Sequence, residues 1–176
     1  YELLNNFDFS LFIDTILNQH ILEEIIKKVD FVFHLAAVVG VKKVMENPIE
    51  SIIVNIEGTY NVLKLCAKYK KRVLITSTSE IYGKNVNVPF SENADIVIGS
   101  TKKKRWSYAC AKAIDEFLAF SFYEEYGLPV IIVRLFNTVG PRQTERYGMV
   151  IPRFIKQAIS GVPITVFGNG EQSRCF

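Results

Sequence analysis

Residues Ser107 to Lys112 read SYACAK, with Tyr108 and Lys112 four positions apart. On a helix that spacing stacks both side chains on one face. A free phenol titrates near about 10 and is a weak base at neutral pH. An ammonium held beside it favours the phenolate. Such a pair can take a proton from a sugar or alcohol hydroxyl while a hydride leaves the same carbon. Alone, a Tyr-x-x-x-Lys arises often by chance on solvated helices. Here it follows a second unusual stretch, STSEIYG at Ser77–Gly83, which closes an otherwise apolar run from Arg72 to Ser77. Hydroxyls, a carboxylate and a phenol at the end of a core strand are costly unless they face a site that uses them. These hydroxyls supply a third partner, able to orient a substrate oxygen by hydrogen bonding.

The elements that must position these groups alternate along the chain. Helical spacing covers Gln19–Lys28, with Ile21, Ile25 and Ile26 apolar, and a nearly continuous apolar run, Asp30–Val39, suits a strand covered on both faces. Pro48–Tyr69 reads as a long helix with proline near its first turn. Arg72–Ser77 is the next strand, followed by a polar loop through Gly99 and Lys104. Ser107–Tyr126 is again a helix, stopped by Gly127 and Pro129, and Val130–Phe136 is a β-branched strand. A shorter helix over Gly148–Ser160 and a short strand over Ile164–Phe167 complete the pattern. Helices alternating with apolar strands predict an α/β fold with a parallel sheet.

Composition narrows the class. The chain has 176 residues, 49% of them hydrophobic, enough for one sizeable core. A net charge of +3 with basic residues scattered apart from Lys102–Arg105 argues against a nucleic-acid face. Cys66, Cys110 and Cys175 form no CxxC pair and are odd in number, which fits free thiols in the cytoplasm. No apolar run reaches the roughly 18 residues of a membrane span, and residues 1–30 carry no signal peptide. No metal site is expected. Residues 1–8 form no strand before a glycine-rich turn, and the last residues stop just after a predicted strand. An internal piece of a longer chain is therefore expected.

Seven stretches in this order resemble the extended short-chain dehydrogenase/reductase group, the NAD-dependent epimerase/dehydratase family acting on nucleotide sugars. They are DFVFHLAA (30–37), VNIEGTYNVLKLC (54–66), STSEIYG, YACAK, VRLFNTVGPRQ (133–143), MVIPRFIKQAISG (149–161) and GNGEQSRCF (168–176). The resemblance implies a Rossmann-like, doubly wound parallel sheet that lacks its first strand. It places an NAD-binding domain at residues 1–147 and the beginning of a nucleotide-sugar domain at 148–176. The family's G-x-x-G-x-x-G turn, which brings backbone amides to the pyrophosphate of NAD, is not found in residues 1–30. This chain alone is expected to hold NAD weakly.

By position, the resemblance makes Tyr108 the base and Thr78 the hydroxyl that assists it, with Lys112 also holding the nicotinamide ribose. Leu35, Ala36, Ala37 and Ser77 would line the cofactor, and Asn55 would steady the neighbouring strand ends. Thr15 and Ile16 fall where relatives carry Gly-Asp-Ile against adenine, with Thr15 at the acidic position. Thr78, Ser79, Asn137 and Arg174 would face the nucleotide sugar, Arg174 through its diphosphate. His34 reads as a core histidine. Phe117, Phe120, Phe122 and Tyr123 read as packing, at a homodimer interface formed by the two long helices as in relatives.

Glu80 bears on the reaction. All outcomes in the family start by oxidising the sugar at C4, and simple 4-epimerases carry an uncharged residue at that position. Thr-Ser-Glu resembles UDP-glucuronate decarboxylases and GDP-mannose 4,6-dehydratases, and KKRWSYACAK leans towards the decarboxylases. Enzymes dehydrating dTDP-glucose have an aspartate where Ser79 stands. The expectation is a decarboxylase-like enzyme on a UDP-sugar with Glu80 catalytic, the alternatives being a UDP-glucose 4-epimerase type or a GDP- or dTDP-sugar 4,6-dehydratase. A non-catalytic dinucleotide-binding relative is disfavoured by the joint presence of Thr78, Tyr108 and Lys112.

Overall fold

The computed structural model describes residues 8–144 and 149–173. Helix α1 (Gln19–Ile26) begins at Asn18, whose side chain accepts from the Ile21 N–H. Strand β1 (Phe31–His34) and helices α2 (Val41–Glu46) and α3 (Pro48–Lys68) follow. Strand β2 (Arg72–Thr78) runs into a short 3-10 turn, Ser79–Tyr82. Helix α4 (Trp106–Tyr126), strand β3 (Val130–Leu135) and helix α5 (Val150–Ile159) complete the order. Helix α4 stops because Gly127 takes a left-handed conformation, φ 64°, and its N–H closes on the Tyr123 carbonyl at 2.9 Å.

The strands form a parallel sheet in the order β1-β2-β3, with Phe31 opposite Arg72 and Val73 opposite Val130. Parallel neighbours need crossovers, and α3 and α4 supply them. Ile26 of α1, Val62, Leu63 and Cys66 of α3, Val73 and Ile75 of β2, Ala119 of α4 and Leu128 make one buried cluster. Each fully buried large aliphatic side chain there stabilises by about 1.5–3 kcal/mol. Burial also pushes the Cys66 thiol up to about 11, which makes it inert. Phe33 and Ile131, lateral neighbours of Leu74 in the register, remain exposed.

Two expectations change. The apolar run 30–39 yields a strand only over Phe31–His34. Beyond it the chain leaves the sheet because the Asn55 side chain takes both polar groups of Val38, accepting from its N–H at 2.7 Å and donating to its carbonyl at 3.3 Å. Ile164–Phe167 is no strand, since no strand among the described residues pairs with it and Gln157 of α5 bonds Thr165 through both amide atoms. The six-residue α2 was not foreseen. No helix among the described residues is long and apolar enough to cross a membrane.

Candidate active site

The polar end of β2 turns back on itself. Thr78, buried and extended, accepts the Glu80 N–H on its hydroxyl at 3.2 Å and so caps the 3-10 turn. That local bond explains how polar residues close an apolar strand: the hydroxyl satisfies a turn amide and remains at the strand mouth. It also lies close enough to the Tyr108 phenol to favour its ionised form. Tyr108 sits in the first turn of α4, two residues after Trp106, whose indole is buried against Gly99 under the Arg105 guanidinium.

Electrostatics at Tyr108 run against the simple expectation. Burial pushes the phenol up, and the carboxylates of Glu80 and Asp115 push it further, with Thr78 opposing. Glu80 keeps much of its surface in solvent, yet the protein packed round its carboxyl raises it too, opposed by Arg105. Lys112 is 2% exposed and bonds Asp115, its Nζ 2.7 Å from Oδ2. The ammonium expected beside the phenol is thus committed to a carboxylate one turn further on. The reason is dielectric: a buried ammonium needs a counter-charge, and Asp115, fully buried, needs one equally.

Asp115 joins a wider buried group. The Thr59 hydroxyl of α3 contacts His34 Nε2 at 3.1 Å and is near enough to Asp115 to favour its charge, although Asp115 Oδ1 has no well-formed hydrogen bond. Burial, then the Lys112 charge, brings His34 down to about 4, so the imidazole is neutral. His34 is a bonded core histidine. Asp115, Thr59 and the Arg134–Glu116 pair escaped the sequence reading; an acidic residue three after Lys112 was the available signal for Asp115.

The other foreseen residues fall as follows. Leu35 and Ala36 are exposed at the carboxyl end of β1, Ala37 is half-buried, and Asn55 fixes the loop behind them. Ser77 is buried at the end of β2 and its Oγ has no partner. Ligands of open α/β sheets bind beyond the carboxyl ends of the strands. An open apolar rim on one strand end and an orphaned hydroxyl on the next fit NAD. Thr15 is exposed in the loop before α1, while Ile16 packs its side chain on Gly58 of α3. Ser79 is half-buried in the 3-10 turn, and Asn137 is exposed just past β3. Arg174 lies outside the described residues. An open cleft of about 390 Å³ runs between the loop after β3, with Arg142 and Gln143, and Pro152 and Lys156 of α5. Among the described residues no cluster of His, Cys, Asp or Glu could hold a metal ion.

A Rossmann-like α/β sheet with a hydroxyl at the end of β2 and a tyrosine and a lysine on the following helix defines the class. Residues 6–176 match the NAD dependent epimerase/dehydratase family, and the chain belongs to it. It is 48% identical over 163 residues to the UDP-N-acetyl-alpha-D-glucosaminuronate decarboxylase of Bacillus cytotoxicus, covering 92% of this chain and 50% of that protein. The UDP-N-acetylglucosamine 4-epimerase of Methanobrevibacter ruminantium M1, solved with UDP-N-acetylmuramic acid, superposes with a TM-score of 0.88 at 34% identity, over 97% of this chain and 54% of that one. The UDP-glucuronic acid 4-epimerase of Bacillus cereus, solved with UDP-glucuronic acid and NAD, gives 0.85 at 30%, over 98% and 52%. The chain therefore spans about half the length of these relatives.

Proposed function

We propose that the protein carrying this chain is an NAD-dependent nucleotide-sugar enzyme that works through a 4-keto sugar and decarboxylates a UDP-linked uronic acid. The observation that carries the reading is the meeting of Thr78, Glu80 and Tyr108 at one strand mouth. Tyr108 takes the C4 hydroxyl proton and Thr78 holds that oxygen, while Lys112, bonded here to Asp115, would turn to the phenolate and the nicotinamide ribose to steady them. Leu35, Ala36, Ala37 and Ser77 would hold NAD, with Thr15 and Ile16 towards adenine. Bound there, NAD supplies a hydride acceptor that later returns the hydride. Ser79, Asn137 and Arg174 would hold the nucleotide sugar, and Glu80 would exchange a proton at its C5 and C6 side. Similarity to a decarboxylase at 48% identity supports this choice. The 4-epimerases among the similar solved structures favour epimerisation as the second reading.

Residues 1–147 would then form the cofactor domain and 148–176 the start of the sugar domain, in a cytoplasmic enzyme. Exposed Phe117, Phe120 and Tyr123 on α4 and Ile49 and Ile53 on α3 offer an apolar face for a second copy. Light scattering of the full-length protein at the monomer mass would end that part of the proposal. The reaction is tested by incubating the full-length protein with NAD and UDP-glucuronic or UDP-N-acetylglucosaminuronic acid and identifying products by mass and NMR. Loss of carbon dioxide is expected, and Tyr108→Phe should lower turnover by about 10²–10⁴-fold. A C4 epimer as sole product would replace the first reading with the second. Full activity of Tyr108→Phe would remove both.

A further inference from the structure

We propose that Asp115 is a positioning residue for the tyrosine–lysine pair: it draws the Lys112 ammonium inward, onto α3 and β1, and so decides how much of that charge reaches Tyr108. The proposal rests on the reading of Tyr108 as the base. Tyr108, Lys112 and Asp115 stand at i, i+4 and i+7 on α4, a single stripe of one helix face. Lys112 is thus flanked by two partners, one turn before it and one turn after it. Side chains on a helix lean towards its N-terminus, so Asp115 leans onto Lys112 and Lys112 can lean onto Tyr108. The bond that is made runs to Asp115, at 2.7 Å, with both side chains almost wholly buried.

Lys112 and Asp115 are buried, so their charges act on their neighbours with little screening by water. The groups acting on Tyr108 are Thr78 of β2, Glu80 of the 3-10 turn and Asp115 of α4, the last bonded to Lys112. Those facing the pair from other elements are Thr59 of α3 and His34 of β1, with Glu116 beside Asp115 held by Arg134 of β3, and Arg105 acting on Glu80. Lys112 is the cation one turn from the phenol on the same face of α4. While Asp115 holds it, Tyr108 meets two carboxylates that work against the phenolate, in line with the upward shift of the phenol. Removing the Asp115 charge withdraws one of those carboxylates and frees the ammonium for the phenol, so both effects favour phenolate.

The test reads Tyr108 directly, without substrate or NAD. The phenolate absorbance of the full-length protein is followed as pH rises and corrected by the same titration of a Tyr108→Phe derivative. Asp115→Asn should lower the Tyr108 midpoint by about one unit, which is about tenfold more phenolate at a given pH below the midpoint. Asp115→Glu, which keeps the charge, should titrate with the parent. An Asp115→Asn midpoint that is unmoved or raised overturns the proposal, as does Asp115→Glu behaving like Asp115→Asn. Should Asp115→Asn fail to fold, Thr59→Val, which loosens the carboxylate from α3, should shift the midpoint in the same direction by a smaller amount. No shift there overturns the proposal too. Failure of the underlying reading shows separately, as full turnover by Tyr108→Phe.

Discussion

Arg134 of β3 and Glu116 of α4 grip each other with two prongs, Nε to Oε1 at 3.0 Å and Nη2 to Oε2 at 2.8 Å. Bidentate pairs of this kind fix geometry as well as adding energy. The remaining guanidinium nitrogen donates to the Tyr82 hydroxyl at 3.1 Å and to the Glu92 carbonyl at 2.9 Å. One side chain thereby fastens the helix that carries Tyr108 to the turn that carries Glu80. Glu116 is 6% exposed, so Glu116→Ala leaves a largely buried guanidinium without its counter-charge. We expect a loss of about 3 kcal/mol in denaturant unfolding of the full-length protein. A loss below about 1 kcal/mol would mark the pair as no more than an ordinary surface contact.

Gly99 sets the start of α4. A Cβ built there would stand 2.1 Å from Trp106 Nε1 and 2.5 Å from Cε2, and a fused aromatic ring has no flexible end to give way. Gly99→Ala should therefore displace the indole, at a cost of about 1–3 kcal/mol. Trp106 is the single tryptophan of the chain. A red-shifted tryptophan emission measured against a Trp106→Phe background is expected, together with reduced turnover because Tyr108 is two residues away. Unchanged emission and turnover would show that the loop absorbs the methyl group.

His34 makes stability depend on pH. Its folded value, about 4, lies below the ordinary 6.5, so between these values the unfolded chain binds a proton that the folded chain does not. The contribution is complete above about pH 6.5 and is lost as pH falls towards about 4, in all about 3 kcal/mol. Asp115 and Glu80, both raised, bind protons earlier in the folded state and slope the other way. Comparing urea midpoints of the parent and His34→Gln from pH 7 to pH 4 isolates the histidine. The parent should lose the larger share, and parallel curves would refute the assignment.

What was legible in the sequence was what local geometry decides. The four-residue spacing of Tyr108 and Lys112 needs only a helix, and that helix runs from Trp106 to Tyr126. The crossover helix Pro48–Lys68 and strand Arg72–Thr78 likewise follow from uninterrupted patterns. What stayed hidden depends on partners distant in the chain. Asn55 ends β1 by bonding Val38 from seventeen residues away, and Gln157 takes Thr165 out of contention as a strand. The partner of Lys112 was ambiguous for a different reason. Helix geometry offers it Tyr108 and Asp115 equally, and only burial decides between a neutral phenol and a carboxylate.

Under the proposed function, Glu80 is the residue that would separate the two reactions. Its side chain follows the Thr78 hydroxyl by two residues, its charge is felt at Tyr108, and its carboxyl is raised by burial. A carboxyl shifted towards neutral pH can exchange a proton more readily than an ordinary surface glutamate. Epimerisation at C4 asks nothing of it, because proton transfer there is confined to the C4 oxygen. Decarboxylation does, since the carbon that loses carbon dioxide must be reprotonated before the hydride is returned. Glu80→Gln keeps the shape and removes the charge. In the full-length enzyme it should suppress decarboxylated product by about 10²-fold or more while NAD is still reduced by the sugar, visible as nicotinamide absorbance. Unimpaired product formation, with the C4 epimer as that product, would leave Glu80 without a chemical role and make epimerisation the reaction.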